Sequence, residues 1–379
     1  MNWLLRKSVA IALSVVAFQA SADITIGVSL PMTGPASSLG IPISKQVKLW
    51  PTSIGGEKLN VILLDNGSDP TNGITNARKF LESNADLVIG CVVTPVAAAM
   101  AGVLNEAQTP HYSLAPIVLA QGKDDWTFRI SQNNAIMAEI LMKHMQGANF
   151  KTLGFLGYND SYGETWLMEV NQLLARPGMP KLVATERFAR NDTSVTAQAL
   201  KIIAAKPDAV LIVASGGGAE MPQRALVERQ YKGQIYQTHA AANQAYLSLG
   251  GKTTEGALLV AGPAIVPEQL PSQHPAKAPA TDFVAKYEAA NGVGSRNTFP
   301  SQAYDVMVLL NKVIPIALKS AKPGTPSFRT ALRDATEKSG PTAVSNGLVN
   351  YTKSDHWGHN VSHSGVMLKV VNGDWNLVQ

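Results

Sequence analysis

The chain is poor in the side chains that staple, ligate or react. It holds one cysteine in 379 residues, Cys91, so no disulfide can close within it. A chain of this length buries a core large enough to do without such a staple. Charged residues make up 16% and the formal net charge is +5. Part of that excess sits in the opening stretch "MNWLLRKSVAIALSVVAFQASA", where Arg6 and Lys7 precede an apolar run over 8–18 and the small residues Ala20, Ser21 and Ala22. Basic, then apolar, then small residues read as a secretory signal peptide over 1–22, cut before Asp23. Without it the formal charge falls to +3, too little to argue for nucleic acid. No run reaches the ~20 apolar residues of a membrane-spanning helix. The mature chain is therefore expected to be exported and soluble.

What the chain does have is alternation. Apolar, β-branched runs at 24–30, 58–65, 86–91 and 110–115 read as strands, with helices expected around 43–50, 71–83 and 95–108. A second series follows, with strands at 152–158, 181–188, 208–214 and 234–239 and helices near 162–175, 193–205 and 219–230. Continuous apolar strands alternating with helices imply parallel sheets covered on both faces. "DDWTFRISQNNAIMAEILMKHM" separates the series and reads as a strand crossing from one doubly wound unit into a long helix of the next. The Pro-rich stretch 263–280 punctuates the chain. The helices after it, including 301–318, must pack on one of the two sheets, and 365–378 reads as strand, Asn-Gly-Asp turn and strand.

Sequence signatures of catalysis and cofactor binding fail on inspection. "VLIVASGGGAEMPQ" supplies Gly216 and Gly218 for a dinucleotide fingerprint, but its last position falls on Met221. "YLSLGGKT" ends like a phosphate-binding loop, yet Tyr246 stands where the first glycine must be. His356, His359 and His363 could converge on zinc, but no H-E-x-x-H pattern accompanies them, and the intervening Gly and Asn argue for a turn. Cys91 has no base near it in sequence and lies at a strand end before the next helix; it reads as a small buried hydrophobe rather than a nucleophile. No cofactor or metal is expected.

In open α/β sheets, ligands sit beyond the carboxyl ends of the strands. Here those ends carry small polar residues and few charges. They are "PMTGPASSLG" with Ser38 and Leu39, "CVVTPVA" with Thr94, and "YSLAPIV" with Ala115 and Pro116. The second unit offers "YNDSYGETW" with Tyr162, "ASGGGAE" with Ser215, and "QTHAAANQ" with His239. Thr94 followed by Pro95 suits a helix N-cap, and the hydroxyl plus free amides of that first turn suit a carboxylate. Two units facing each other across such ends form a cleft, which points to reversible capture of a small solute with hinge closure. The lack of a convergent acid, base and nucleophile argues against turnover, and the chain is not read as an enzyme.

The order and spacing of "ITIGVSLPMTGPASSLG", "LLDNGSDPTNGITNARKFL", "DLVIGCVVTPVAAAMAGVLNEAQTPHYSLAP", "GYNDSYGETW", "PDAVLIVASGGGAEM" and "SQAYDVMVLL" resemble the type I periplasmic solute-binding proteins of ABC transporters, in the branched-chain amino acid (Leu/Ile/Val) group. The resemblance implies an α/β fold of two doubly wound Rossmann-like lobes joined by a three-segment hinge. The N-terminal lobe would take 23–131 plus 263–346, and the C-terminal lobe 132–262 plus 347–379. It implies a periplasmic monomer that delivers its ligand to a membrane permease. It also implies that Thr94 and the amides near Ala115 grip a ligand carboxylate, with contacts at Tyr162 and Phe299. Departures from the family pattern narrow the ligand. Ile117 stands where amino acid binders carry a hydroxyl for the α-ammonium, and Ala240, beside His239, stands near the position of their glutamate. Leu39 replaces a frequent aromatic residue. The expected ligand has a carboxylate and an apolar body but no α-ammonium: an aromatic acid, or a short branched oxo or fatty acid. A receptor-docking ligand sensor of the same fold and an ordinary branched-chain amino acid binder are the alternatives.

Overall fold

The computed structural model describes residues 23–378; the expected signal peptide lies outside them. The first lobe runs β1 (Ile24–Leu30), α1 (Ser37–Val47), β2 (Ser53–Ile54), β3 (Glu57–Asp65), α2 (Pro70–Glu82), β4 (Leu87–Gly90), α3 (Thr94–Glu106), β5 (His111–Ser113) and β6 (Thr127–Arg129). Its sheet has the order β2-β3-β1-β4-β5-β6, parallel except for the β2–β3 pair. All four residues of β4 are buried, as a central strand covered by helices on both faces requires.

The chain then crosses into the second lobe. This comprises α4 (Asn134–Gly147), β7 (Thr152–Tyr158), α5 (Ser161–Leu174), β8 (Lys181–Phe188), α6 (Thr196–Ala204), β9 (Ala209–Val213), α7 (Glu220–Glu228), β10 (Gln234–Gln237), α8 (Gln244–Gly250) and β11 (Leu258–Ala261). It returns to the first lobe for α9 (Lys277–Asn291), α10 (Thr298–Ala317), α11 (Pro326–Glu337) and the hairpin β12 (Thr342–Val344) and β13 (Gly347–Val349). The tail supplies β14 (Val366–Val371) and β15 (Asp374–Leu377), which complete a second sheet of order β15-β14-β11-β10-β9-β7-β8. Both sheets are doubly wound, as expected from the alternation of apolar runs.

Three features differ from the sequence expectation. Helix α1 covers Ser37–Val47 rather than 43–50 and runs through Pro42. Strands β2, β11, β12 and β13 and helix α8, all short, were not anticipated. The third crossing also comes later than 346/347. Residues 350–359 stay on the first lobe because they satisfy the open edge of β6. The Arg129 amide donates to the His356 carbonyl at 2.9 Å, and the Tyr351 hydroxyl donates to the Arg129 carbonyl at 2.7 Å.

The crossings meet where Gln132 Nε2 donates to Asn346 Oδ1 and to the Ser364 carbonyl, each at 3.3 Å. Buried Asp305 of α10 accepts from the amide and hydroxyl of Ser345, both at 2.6 Å, and from the amide and Nδ2 of Asn346. Burial raises its pKa to about 6 against the pull of these bonds. Among the described residues no helix is long and apolar enough to cross a membrane.

Candidate functional site

The carboxyl ends of β1, β4 and β5 face those of β7, β9 and β10 across a narrow cavity. The first lobe contributes Leu39 from the first turn of α1, Val92 and Thr94 from the head of α3, Leu114 and Pro116 from beyond β5, Ser131 from the first crossing, and Phe299 and Gln302 from α10. The second lobe contributes Tyr162 from α5, Arg190 from beyond β8, Ser215 from beyond β9, and His239 and Ala240 from beyond β10. Local capping places the two aromatic walls. Asp160 caps α5 by accepting from the Tyr162 and Gly163 amides, and Asn297 caps α10 by accepting from the Phe299 amide at 3.0 Å.

The lobes touch across this cavity. Ser38 Oγ accepts from the Gly217 amide at 3.4 Å, and the Thr298 amide donates to the Ala242 carbonyl at 3.0 Å. A third bond follows from Pro42. With no amide hydrogen at position 42, the Ser38 carbonyl loses its partner one turn on. Asn243 Nδ2 of the second lobe donates to that carbonyl at 2.9 Å.

Seven of the expected residues line the cavity: Leu39, Thr94, Pro116, Tyr162, Ser215, His239 and Phe299. Ser38 and Ala115 do not. Ser38 spends its polar atoms on the lobe–lobe contact. The Ala115 amide donates to Ser113 Oγ at 3.2 Å, and its carbonyl accepts from that hydroxyl and from the Ile117 amide, so it has no donor for a ligand. Thr94 is not the N-cap. Val93 holds that position with extended backbone and no side-chain cap, and Thr94 is the first helical residue. Its hydroxyl is thereby left free of capping duty. Cys91 is fully buried, accepts from Asn66 Nδ2 and the Val93 amide at 3.3 Å each, and burial pushes its thiol up to about 11.

Sequence reading passed over Arg190, Ser131 and Gln302. Among the described residues, Arg190 is the one charged side chain lining the cavity. Its Nε pairs with Asp160, its Nη1 donates to Ser215 Oγ at 3.0 Å, and its guanidinium lies 4.1 Å over the Tyr158 ring. Its Nη2 has no protein hydrogen bond among the described residues. The signal for it was faint: a basic residue two positions past an edge strand, in reach of the Asp that caps the next helix. Tyr162 turns its hydroxyl to Thr238 Oγ1 at 2.8 Å and presents its ring to the cavity. His239 lies between the rings of Tyr162 and Trp166, with centroids 6.3 and 6.0 Å away. Burial, helped by nearby His359, lowers its pKa to about 4, so it is neutral at pH 7.

The His cluster serves the hinge side of the first lobe. His356 bonds the Asp124 carbonyl and Glu337, His359 bonds Ser364 Oγ and the Ile130 carbonyl, and His363 bonds Asn360. Among the described residues, no three His, Cys, Asp or Glu side chains are grouped to hold a metal ion.

A periplasmic binding protein family profile matches residues 23–374. The chain belongs to this family. Among curated relatives, Leu/Ile/Val-binding protein homolog 3 of Brucella melitensis is 26% identical over 273 residues, 68% of this chain and 73% of the relative. An extracellular ligand-binding receptor from Rhodopseudomonas palustris HaA2 is 42% identical and superposes with a TM-score of 0.92, covering 94% of this chain and all of that one. An ABC transporter solute-binding protein from R. palustris, solved with benzoate, has the same fold at 20% identity and a TM-score of 0.79, covering 94% of this chain and 96% of its own. For a periplasmic binding protein, the cavity between two lobes is the place for a solute, and the family implies an extracytoplasmic location.

Proposed function

We propose that the protein captures a small monocarboxylate with an apolar body between its lobes and presents it to the permease of an ABC transporter. One observation carries this reading. Among the described residues no Asp or Glu lines the cavity, and its one charged side chain is a cation, Arg190. A guanidinium matches a carboxylate in both charge and shape, and the unspent Thr94 hydroxyl adds a donor. Leu39, Val92, Leu114, Pro116, Tyr162 and Phe299 suit an apolar body. Capture of benzoate by a protein of the same fold supports the class without naming the ligand.

The names of the Leu/Ile/Val-binding relatives favour a second reading, an α-amino acid ligand. An ammonium enclosed here would meet Ala240 where a carboxylate is needed, and Ile117 does not reach the cavity. An unpaired buried ammonium costs several kcal/mol. Calorimetric titration with leucine, 4-methylpentanoate and benzoate separates the two. The carboxylates should bind and leucine should not; tight leucine binding with no carboxylate binding refutes the proposal.

A further inference from the structure

The polar atoms of the cavity form two groups with apolar walls beside them. One group is cationic: Arg190 with Ser215, on the same cavity as Thr94. The other is neutral and lies by the crossings. Ser131 directly precedes Gln132, which bonds Asn346 and Ser364. Gln302 follows Ser301, whose hydroxyl accepts from Asn346 Nδ2 at 2.8 Å. His239 comes to the same cavity from the second lobe.

This second group is unpaired. Among the described residues, Ser131 Oγ, His239 Nδ1 and Gln302 Oε1 have no hydrogen-bond partner, in residues only 1%, 3% and 2% exposed. All three residues line the cavity. A buried polar atom left unsatisfied costs about 1–3 kcal/mol, and such atoms are rare without a reason. The carboxylate reading accounts for Arg190 and leaves these three unexplained.

We infer that this neutral group receives a hydroxyl of the ligand, so that the solute is an apolar-bodied hydroxy acid whose hydroxyl meets other side chains than its carboxylate does. The inference rests on the carboxylate reading. The chemistry of the three side chains selects the group. A primary amide, a neutral imidazole and a hydroxyl each offer both a donor and an acceptor. A hydroxyl answers both. A ketone or ether only accepts and leaves the glutamine carbonyl unpaired. A second carboxylate only accepts, and it buries a charge with no cation beside it. An ammonium only donates, and it meets no carboxylate.

The test is calorimetric titration of the purified protein with two matched pairs: benzoate against 4-hydroxybenzoate, and 3-phenylpropanoate against 3-(4-hydroxyphenyl)propanoate. The two lengths allow for the spacing between the groups. In at least one pair the hydroxy acid should bind at least about tenfold tighter, the worth of one well-made buried hydrogen bond. Gln302→Leu should shrink that ratio, since it removes a partner of the hydroxyl. Ser131→Ala should shrink it too and guards against misfolding of the first variant, with the thermal midpoint as the check on both. Equal binding within both pairs, or equal loss for both members in both variants, overturns the inference and leaves the carboxylate reading standing. Binding of leucine but of none of the four acids overturns the carboxylate reading, and the inference with it.

Discussion

Replacing Arg190 by methionine tests the electrostatic logic of the cleft most directly. The side chain is 14% exposed, pairs with Asp160, donates to Ser215 and covers the Tyr158 ring at 4.1 Å. Methionine keeps much of the apolar stem and removes the charge. A hydrogen bond to a charged group contributes about 1.5–3 kcal/mol, so carboxylate affinity should fall by about 10- to 150-fold. The loss should exceed that of the bond alone, because Asp160, itself 19% exposed, is left as an uncompensated anion beside the cleft. The double variant Arg190→Met with Asp160→Asn removes that repulsion and should recover part of the affinity. Calorimetry with an acid and its primary amide separates charge recognition from packing. The acid should lose affinity in the single variant and the amide should change little. Unchanged acid affinity, or equal losses for acid and amide, refutes the carboxylate role of Arg190.

Thr94→Ala should weaken carboxylate binding by about 1–3 kcal/mol, and Thr94→Ser should restore most of it, both read by calorimetry. At Gly216, φ is +51° and a Cβ would stand 2.5 Å from Ser38 Oγ and 2.6 Å from Leu39 Cδ1. Gly216→Ala should therefore disfavour the closed form by about 1–2 kcal/mol, seen as weaker binding and a larger radius of gyration by small-angle scattering in the presence of ligand. Burial holds His111, His239 and His359 near 4 rather than 6.5. Because their folded pKa values are lowered, stability present above about pH 6.5 is lost as pH falls toward 4, by up to about 3 kcal/mol per group. Asp305, raised to about 6, acts with the opposite sign over part of the same range. With three histidines against one carboxylate, the thermal midpoint should drop between pH 7 and pH 4.5.

Much of the architecture was legible because buried parallel strands write themselves as continuous apolar runs, as in "AVLIV" of β9, where all five residues are buried. Strand β11 escaped because its four residues sit between Gly256 and Gly262, and such short apolar runs do not declare their type. The walls of the cleft were legible for a geometric reason. Strand ends of open sheets converge, so residues such as Thr94, Tyr162, Ser215 and His239 meet without any local signature. Arg190 was not legible. It follows β8, an edge strand, where an arginine ordinarily faces water. What turns it inward is Asp160, 30 residues earlier in sequence, and a pairing at that separation leaves no trace in periodicity. Ser131 and Gln302 were hidden for the same kind of reason, since each reaches the cavity only because the crossings bring first-lobe segments to the second lobe's edge.

Pro42 shows how one residue shapes contacts at the mouth of the site. A proline six residues into a helix ordinarily marks a boundary. In the structure the helix continues through, and the bond missing at position 42 leaves the Ser38 carbonyl to Asn243 of the other lobe. Asn243 also caps α8, its Oδ1 accepting from the Ala245 amide at 2.6 Å. Asn243→Asp separates the two duties, because a carboxylate keeps the capping acceptor and has no donor for Ser38. Thermal stability should therefore hold, while the closed form loses about 1–1.5 kcal/mol. Ligand affinity falls about 5- to 10-fold, since closure and binding are linked. Unchanged affinity with unchanged stability would show that the bond plays no part in holding the lobes together.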